Sequence, residues 1–523
     1  MTPDRVPAAR RYHDRTTHSP ASVRSSTHAL EWDIKPFPFK VYVDAPALEA
    51  PRDLAPLTVP TVAALAGRGA ARPRAMTLTH LSTLLYAAAG VTRKKTYAGG
   101  AEVLFRAAAS TGALYQTEVY VAAGAVEGLP PGLYHFCPGD FTLRRLRDGD
   151  WRGWLGRAAA DDALGRRAAV LILTAIYWRN TWKYQARGFR HLFWDSGTML
   201  ANALAAGEGL GLAPRLVTGF VDADANLLLG LDAEREGALE LLGVGHETPP
   251  PPARESVDPI RHDVMPLSPR EVDYPLLREM YQASRLATPD AVAAWRCGTA
   301  PPAAPARGPL TPLPAPPLDA GRDLGETIQR RGSTRRFGPA PLSPLELGAA
   351  LWASARPIAW DVPSGLVERF VVVNGVTGVA AGAYRYVRSR HALELLKPGD
   401  FRRESAYLCL EQPLGGEAAA VIYFLAPVDP LSHAFGDRGY RLANLEAGLA
   451  GGRAYLAAYA LGFGASGLTF YDRLVAEFFA PAAAGLDGIF VTALGRAAGG
   501  ASDVLLSETI RPPKMPSRED ASG

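Results

Sequence analysis

Three short segments carry residue types that could do chemistry. Arg330-Arg331-Gly332-Ser333-Thr334-Arg335-Arg336-Phe337 sets guanidinium groups around a hydroxyl, just ahead of a predicted helix. That set suits a dianionic phosphate, because arginine gives charge-assisted, often bidentate bonds and serine adds a neutral donor. A solvated basic linker end has the same composition. Arg106 to Tyr115, with Ser110 and Gly112, precedes a predicted strand. Its small residues let backbone approach a flat ligand, and Ser110 could donate to a ring carbonyl; an ordinary loop reads the same way. Trp182-Lys183-Tyr184 stands before a long predicted helix, in a chain with 7 Lys against 49 Arg. An ammonium beside a phenol lowers the phenol pKa and burial lowers the amine's, so the pair is an acid/base candidate. A surface Lys beside a packed Tyr is the plain alternative.

Other chemistries lack their residues. Gly462-Phe463-Gly464-Ala465-Ser466-Gly467 has the form GxGxxG, but it follows a helix and opens none, so it reads as a helix C-cap and turn. The ten histidines show no HExxH spacing, and neither a Walker A motif nor a GxSxG elbow occurs. Cys137, Cys297 and Cys409 lie far apart, which argues against a disulfide scaffold or a cysteine-rich zinc site and fits a reducing compartment. No metal site is expected. Lys+Arg 56 against Asp+Glu 52 leaves a net charge of +4 with no basic block, a poor profile for nucleic-acid binding. The longest apolar runs, Ala168–Ile176 and Ala418–Val428, are about half the ~20 residues a spanning helix needs. Met1–His18 has no apolar core of a signal peptide, so a soluble cytoplasmic protein is expected.

The elements that must position these segments occur twice. Gly128, Gly132, Tyr134, Leu143, Gly149 and Asp150 recur 250 positions later as Gly378, Gly382, Tyr384, Leu393, Gly399 and Asp400. Gly188-Phe189-Arg190, Gly197 and Leu210-Gly211 recur at offset 251 as Gly439-Tyr440-Arg441, Gly448 and Leu461-Gly462. So steady an offset reads as two copies of one domain. Each copy predicts a helix (Leu81–Ala89; Pro344–Ala353), a strand (Glu118–Ala122; Phe370–Val373), and a hairpin through the Gly-rich turn. A buried strand (Ala168–Thr174; Ala419–Leu425), a long helix ending at a Gly (about Phe193–Gly209; Leu445–Leu461) and a last strand (Gly237–Val244; Gly488–Leu494) follow. With 523 residues, 48% hydrophobic, the chain has material for sizeable cores. The expected organisation is an N-terminal arm (1–60), a first domain carrying the Lys-Tyr pair (61–246), a Pro-rich linker with a helical segment (247–323), a second domain carrying the phosphate segment (324–500) and a tail (501–523). The arm is expected to hold little regular structure, with Trp32, Phe37 and Phe39 docking part of it.

Together these residues resemble the nitroreductase superfamily, in particular its SagB/ThcOx-type flavin dehydrogenases in tandem form. Arg331 to Phe337 is similar to the superfamily's phosphate-binding Arg-Ser-x-Arg-x-Phe element, and Ser110 to Tyr115 to its Ser-x-Gly-x-Leu-Tyr segment. Lys183-Tyr184 resembles the pair implicated in azoline oxidation, and Tyr12-His13-Asp14-Arg15-Thr16 the subgroup's opening. The resemblance implies an α+β fold in which two nitroreductase-like domains form a pseudo-dimer inside one chain, compatible with a monomer, with FMN at the interface. The copies then show complementary losses. Leu65-Ala66-Gly67-Arg68-Gly69 stands where the second copy has Arg331–Arg335, and His246 where it has Arg496, the family's basic residue near the phosphate. In the second copy Asp361-Val362-Pro363-Ser364-Gly365-Leu366 replaces the Ser110 segment, and His433-Ala434-Phe435 replaces Trp182-Lys183-Tyr184. One site therefore combines Arg331, Ser333, Arg335 and Arg496, with Gly464, Ser466 and Gly467 near the flavin, and Arg106, Ser110, Gly112, Lys183 and Tyr184 from the first copy. The other site should hold no FMN, since a phosphate without its arginines forfeits several charge-assisted bonds.

The resemblance further implies an FMN-dependent dehydrogenase that oxidises thiazoline or oxazoline rings in a modified peptide to thiazole or oxazole. Lys183 and Tyr184 would be its catalytic pair, and a cyclodehydratase its implied partner. An NAD(P)H-dependent nitro- or quinone reductase on the same scaffold, and a peptide-binding scaffold that has lost catalysis, are the alternatives.

Overall fold

The computed structural model describes residues 6–71, 75–96 and 102–498; the tail expected over 501–523 lies outside them. Two seven-stranded antiparallel sheets with the same topology form the body. The first runs, in spatial order, Ala47–Glu49, Thr142–Asp148, Gly132–Cys137, Thr117–Ala123, Arg167–Ile176, Glu236–Glu247 and Arg215–Val217. The second runs Leu310–Pro312, Ala392–Pro398, Gly382–Val387, Glu368–Val373, Ala420–Ala426, Asp487–Gly495 and Gly464–Gly467. Continuous apolar runs fall at the sheet centres, where both faces are covered. Every residue of Ala420–Ala426 is buried, and all but the first of Arg167–Ile176. Each sheet takes its outermost strand from upstream of the spans 61–246 and 324–500, one from the arm and one from the linker.

A long helix from each repeat, Gly188–Gly209 and Arg438–Ala460, crosses the other at the centre of the molecule. The crossing explains one conserved pair of the repeat. A Cβ on Gly197 would lie 2.6 Å from the Leu449 nitrogen, and one on Gly448 would lie 2.5 Å from the Trp194 carbonyl oxygen. Both helices end alike. Gly211 and Gly462 follow with φ of 69° and 84°. The Leu212 and Phe463 amides donate back to Gly207 and Ala458 at 2.8 and 3.0 Å, a Schellman closure in each copy. One hydrophobic cluster runs across the junction, from Leu84 and Leu171 to Leu347 and Val421, so the repeats share a core as a pseudo-dimer.

Crossed ion pairs tie the halves together. Arg187 and Arg190 at the start of the first long helix hold Asp472 of the second repeat, and Arg438 and Arg441 of the second hold Asp222 of the first. Burial opposes ionisation of Asp472, yet the Arg187 and Arg190 guanidiniums win and hold its carboxyl well below the usual range.

The arm departs from expectation. It forms helices at Ala8–Arg15 and Pro20–Arg24, and its Tyr12–Thr16 stretch seals the first ion-pair cluster: Arg190 donates to the His13 carbonyl and to Thr16 Oγ1 at 2.8 and 3.0 Å. Phe39 docks as expected, whereas Trp32 is 65% exposed, with one ring edge against Trp182. The linker packs on the body through Pro275–Ala283 and Pro289–Arg296. Gly464–Gly467, expected as a turn, is an edge strand, because its backbone pairs with Thr492–Gly495.

Candidate functional site

A cavity of about 1420 Å³ opens between the repeats, and both halves of the expected constellation line it. From the second repeat come Arg331, Ser333, Arg335, Gly464, Ser466 and Gly467; from the first come Ser110, Gly112, Lys183 and Tyr184.

The Arg331–Arg336 segment is docked between two elements. The Thr334 amide donates to the Ala465 carbonyl at 2.9 Å, and a Cβ on Gly464 would stand 2.2 Å from Thr334 Oγ1, so only glycine lets the edge strand approach. Arg331 is buried and reaches across the interface, its Nε and Nη2 donating to the Ala107 and Arg106 carbonyls at 2.8 and 2.6 Å. Tyr455, on the second long helix, meets Ser333 Oγ at 3.2 Å and accepts the Gly467 amide at 2.5 Å. Arg331, Arg335 and the Ser333 hydroxyl thus share one wall, a set of side chains that fits a phosphate, while the Thr334 and Gly467 amides are paired within the protein.

The opposite wall is built on the loop before the central strand. Gly112 has φ 64°, and a Cβ there would lie 3.0 Å from the Tyr184 hydroxyl. Ser110 Oγ donates to Asp195 at 2.5 Å and accepts the Tyr115 amide at 2.9 Å, so it holds the loop rather than offering its proton to a ring carbonyl. Asp195, which sequence reasoning passed over, also takes the Thr111 amide and hydroxyl. Burial raises its carboxyl to about 6, against the pull of the Ser110 and Thr111 bonds. Its counterpart 251 positions on, Glu446, takes the Gly365 and Leu366 amides at 3.1 and 3.0 Å, so the same helix position anchors the same loop in both repeats. The signal was a carboxylate set among the aromatic and apolar residues of Phe193-Trp194-Asp195.

Lys183 lies with its ammonium 5.4 Å from the centre of the Tyr184 ring. Lys183 is exposed to the open cavity; partial loss of solvent there, then the Arg335 and Lys35 cations, lower its pKa. The phenol behaves opposite to expectation. Burial and then Asp195 push Tyr184 well above the usual tyrosine range, so it is a neutral donor at neutral pH. Two expected residues stay off the cavity wall. Arg106 turns its guanidinium away, onto the Pro38 carbonyl and the Phe39 and Tyr115 rings; Arg496 pairs with Glu346 at 2.8 Å.

The cavity is strongly cationic. Arg93, Lys183, Arg331, Arg335 and Arg336 line it with no carboxylate partner among the described residues, and Asp195 is the one acidic group in its wall. Among the described residues no cluster of His, Cys, Asp and Glu could hold a metal ion, and no helix is long and apolar enough to cross a membrane.

The pseudo-equivalent cleft is filled. Trp295 of the linker packs on Phe435, which stands where the first repeat has Tyr184, and donates its indole N–H to the Phe435 carbonyl at 3.0 Å. Beside it Arg296 binds Asp361 at 3.0 Å, and Asp361 accepts the Thr218 and Gly219 amides.

Comparison with known proteins agrees with this architecture. The sequence profile of the nitroreductase family matches residues 328–490. A protein of Methanocaldococcus jannaschii named as a nitroreductase, MJ1384, is 31% identical over 173 residues, 33% of this chain and 82% of that protein. The microcin B17-processing protein McbC of Escherichia coli is 26% identical over 129 residues, 24% of this chain and 47% of that protein. A crystal structure from Anabaena variabilis, also named as a nitroreductase, superposes with a TM-score of 0.76 at 28% identity, over 94% of this chain and all of that one. The two-sheet body is therefore shared along its whole length, and the chain belongs to the nitroreductase family.

Proposed function

We propose that the chain is an FMN-dependent dehydrogenase of the SagB/ThcOx type, oxidising thiazoline or oxazoline rings of a modified peptide to thiazole or oxazole, with one FMN held between the repeats. Nitroreductase-family members are typically flavin oxidoreductases that bind FMN. The observation that carries the reading is the convergence of Arg331, Ser333 and Arg335 from one repeat with Lys183 and Tyr184 from the other on a single cavity. The similarity to a microcin B17-processing protein adds support for a peptide substrate, and a cyclodehydratase is the partner proposed to supply it.

Arg331, Ser333 and Arg335 would bind the phosphate, and the Gly464–Gly467 strand and the Ser110–Gly112 loop would lie along the flavin. When bound, the flavin supplies the two-electron acceptor that ring oxidation needs. The chain's own part is proton handling and orientation. Aromatisation removes a proton from the ring carbon next to the carbonyl, and Lys183 in its neutral form takes it; burial and neighbouring cations enlarge that neutral fraction. Tyr184, kept protonated, donates a hydrogen bond that orients the substrate. Lys183→Ala and Tyr184→Phe should both purify with flavin and fail to remove two hydrogens from a synthetic thiazoline peptide, read by mass spectrometry. Unchanged turnover in both variants would falsify the assignment.

A second reading, an NAD(P)H-dependent nitro- or quinone reductase, is favoured by the similarity to proteins named as nitroreductases. Rapid anaerobic bleaching of the flavin by NADPH would select it.

A further inference from the structure

We propose that the hairpin formed by Val91–Thr96 and Glu102–Arg106 is the substrate-recognition element of this cavity and that it binds an acidic stretch of the peptide, an inference that rests on the reading above. The hairpin belongs to one repeat only. Tyr86 matches Trp352 at offset 266 and Gly128 matches Gly378 at 250, so the first repeat carries sixteen extra residues between these points. The second repeat passes from its helix end at Ser354 to the strand at Glu368 with no hairpin. The insertion therefore stands over the open cavity alone and has no counterpart over the cleft that Trp295 fills.

Its chemistry is cationic. Arg93, Lys94 and Lys95 all line the cavity. The root is held in place: Arg93 Nη2 donates to the Arg331 carbonyl at 2.7 Å, and the Ala107 amide donates to Gly90 at 2.8 Å. Lys94 pairs with Glu102 in an exposed contact of small worth, which a ligand carboxylate can replace. Arg330 and Arg336 face the same space from the second repeat.

Charge and volume both call for a second, anionic ligand. A flavin phosphate brings two negative charges, matched by Arg331 and Arg335; Arg93 and Arg336 remain without a carboxylate partner. The cavity of about 1420 Å³ exceeds the roughly 300–1,000 Å³ of ordinary small-molecule sites. Cations spread along two walls, rather than converging on one point, suit a flexible chain bearing several carboxylates.

The test uses the full chain reconstituted with FMN and a fluorescent glutamate-rich peptide, read by anisotropy beside the same peptide with glutamine in place of glutamate. The acidic peptide should bind in a salt-sensitive manner and the neutral one should not. Lys94→Gln/Lys95→Gln should weaken binding about tenfold with flavin content unchanged, whereas Arg390→Gln/Arg403→Gln, at exposed positions outside the cavity lining, should leave it as it was. Equal binding of the two peptides, or a hairpin variant that binds like the parent, overturns the proposal. So does a hairpin variant that loses only affinity for a 2′-phosphorylated dinucleotide. Failure of the flavin reading is separately visible, as a protein that stays colourless after reconstitution.

Discussion

The two clefts between the repeats arise from one topology and have diverged in content. In the first, donors from both repeats surround an open, cationic cavity. In the second, a linker tryptophan and arginine take up the space. What stayed alike is the scaffold: the glycine-mediated helix crossing, the Schellman closures, the crossed Arg–Asp clusters, and an acidic side chain that anchors the loop beside each cleft. What differs is the set of groups facing the cleft and the hairpin that only the first repeat carries. Packing constrains both copies equally, whereas a ligand constrains only the copy that meets it, so one cleft was free to be sealed by packing residues.

The contrast can be broken most sharply at the Lys-Tyr pair. Lys183→Ala should lower turnover by about 10²–10⁴-fold, the usual contribution of a positioned acid or base, while His433→Ala, at the counterpart of Trp182 in the second repeat, where Ala434 already stands opposite Lys183, should leave it unchanged; steady-state rates on a thiazoline peptide compare them. Next in size, Trp295→Ala should cost about 3–5 kcal/mol of stability through the void it leaves, measured by chemical denaturation, with flavin still at one per chain. A rise towards two flavins in that variant would undo the distinction between the clefts. Arg331→Ala should weaken flavin retention by about 1.5–3 kcal/mol, the worth of a charged hydrogen bond, and Leu65→Arg in the other cleft should not recover it; titration with FMN reads both. The smallest effect is the pH dependence. With Lys183 proposed to act as the base, the rate should climb as pH rises towards its lowered pKa and level off above it, with no such limb in Lys183→Ala.

Much of this was legible before folding. The constant offset marked two copies, and apolar runs and glycines placed their central strands and long helices close to where they lie. The extra hairpin was missed: the sixteen additional residues can be counted in the sequence, but nothing in their types said that they would pair as strands and overhang a cavity. The arm was harder, because short helices such as Ala8–Arg15 are too brief to form alone and exist by docking on the second repeat. The Gly464–Gly467 strand was hidden for a related reason: glycine-rich segments have no strand propensity of their own, and this one is held by its neighbour.

By itself the sequence determined the repeat, the element order and which residue types each copy kept or lost, since periodicity and spacing are local properties of the chain. Only the tertiary structure decided where individual side chains point. Arg106 finds the Pro38 carbonyl and two aromatic faces, Ser110 finds Asp195 from a helix far along the chain, and Tyr184 lies half-buried near that same carboxyl. Each outcome is a competition among partners that become neighbours only when the repeats close on one another. Hydrogen bonding, burial and charge then set direction and pKa together.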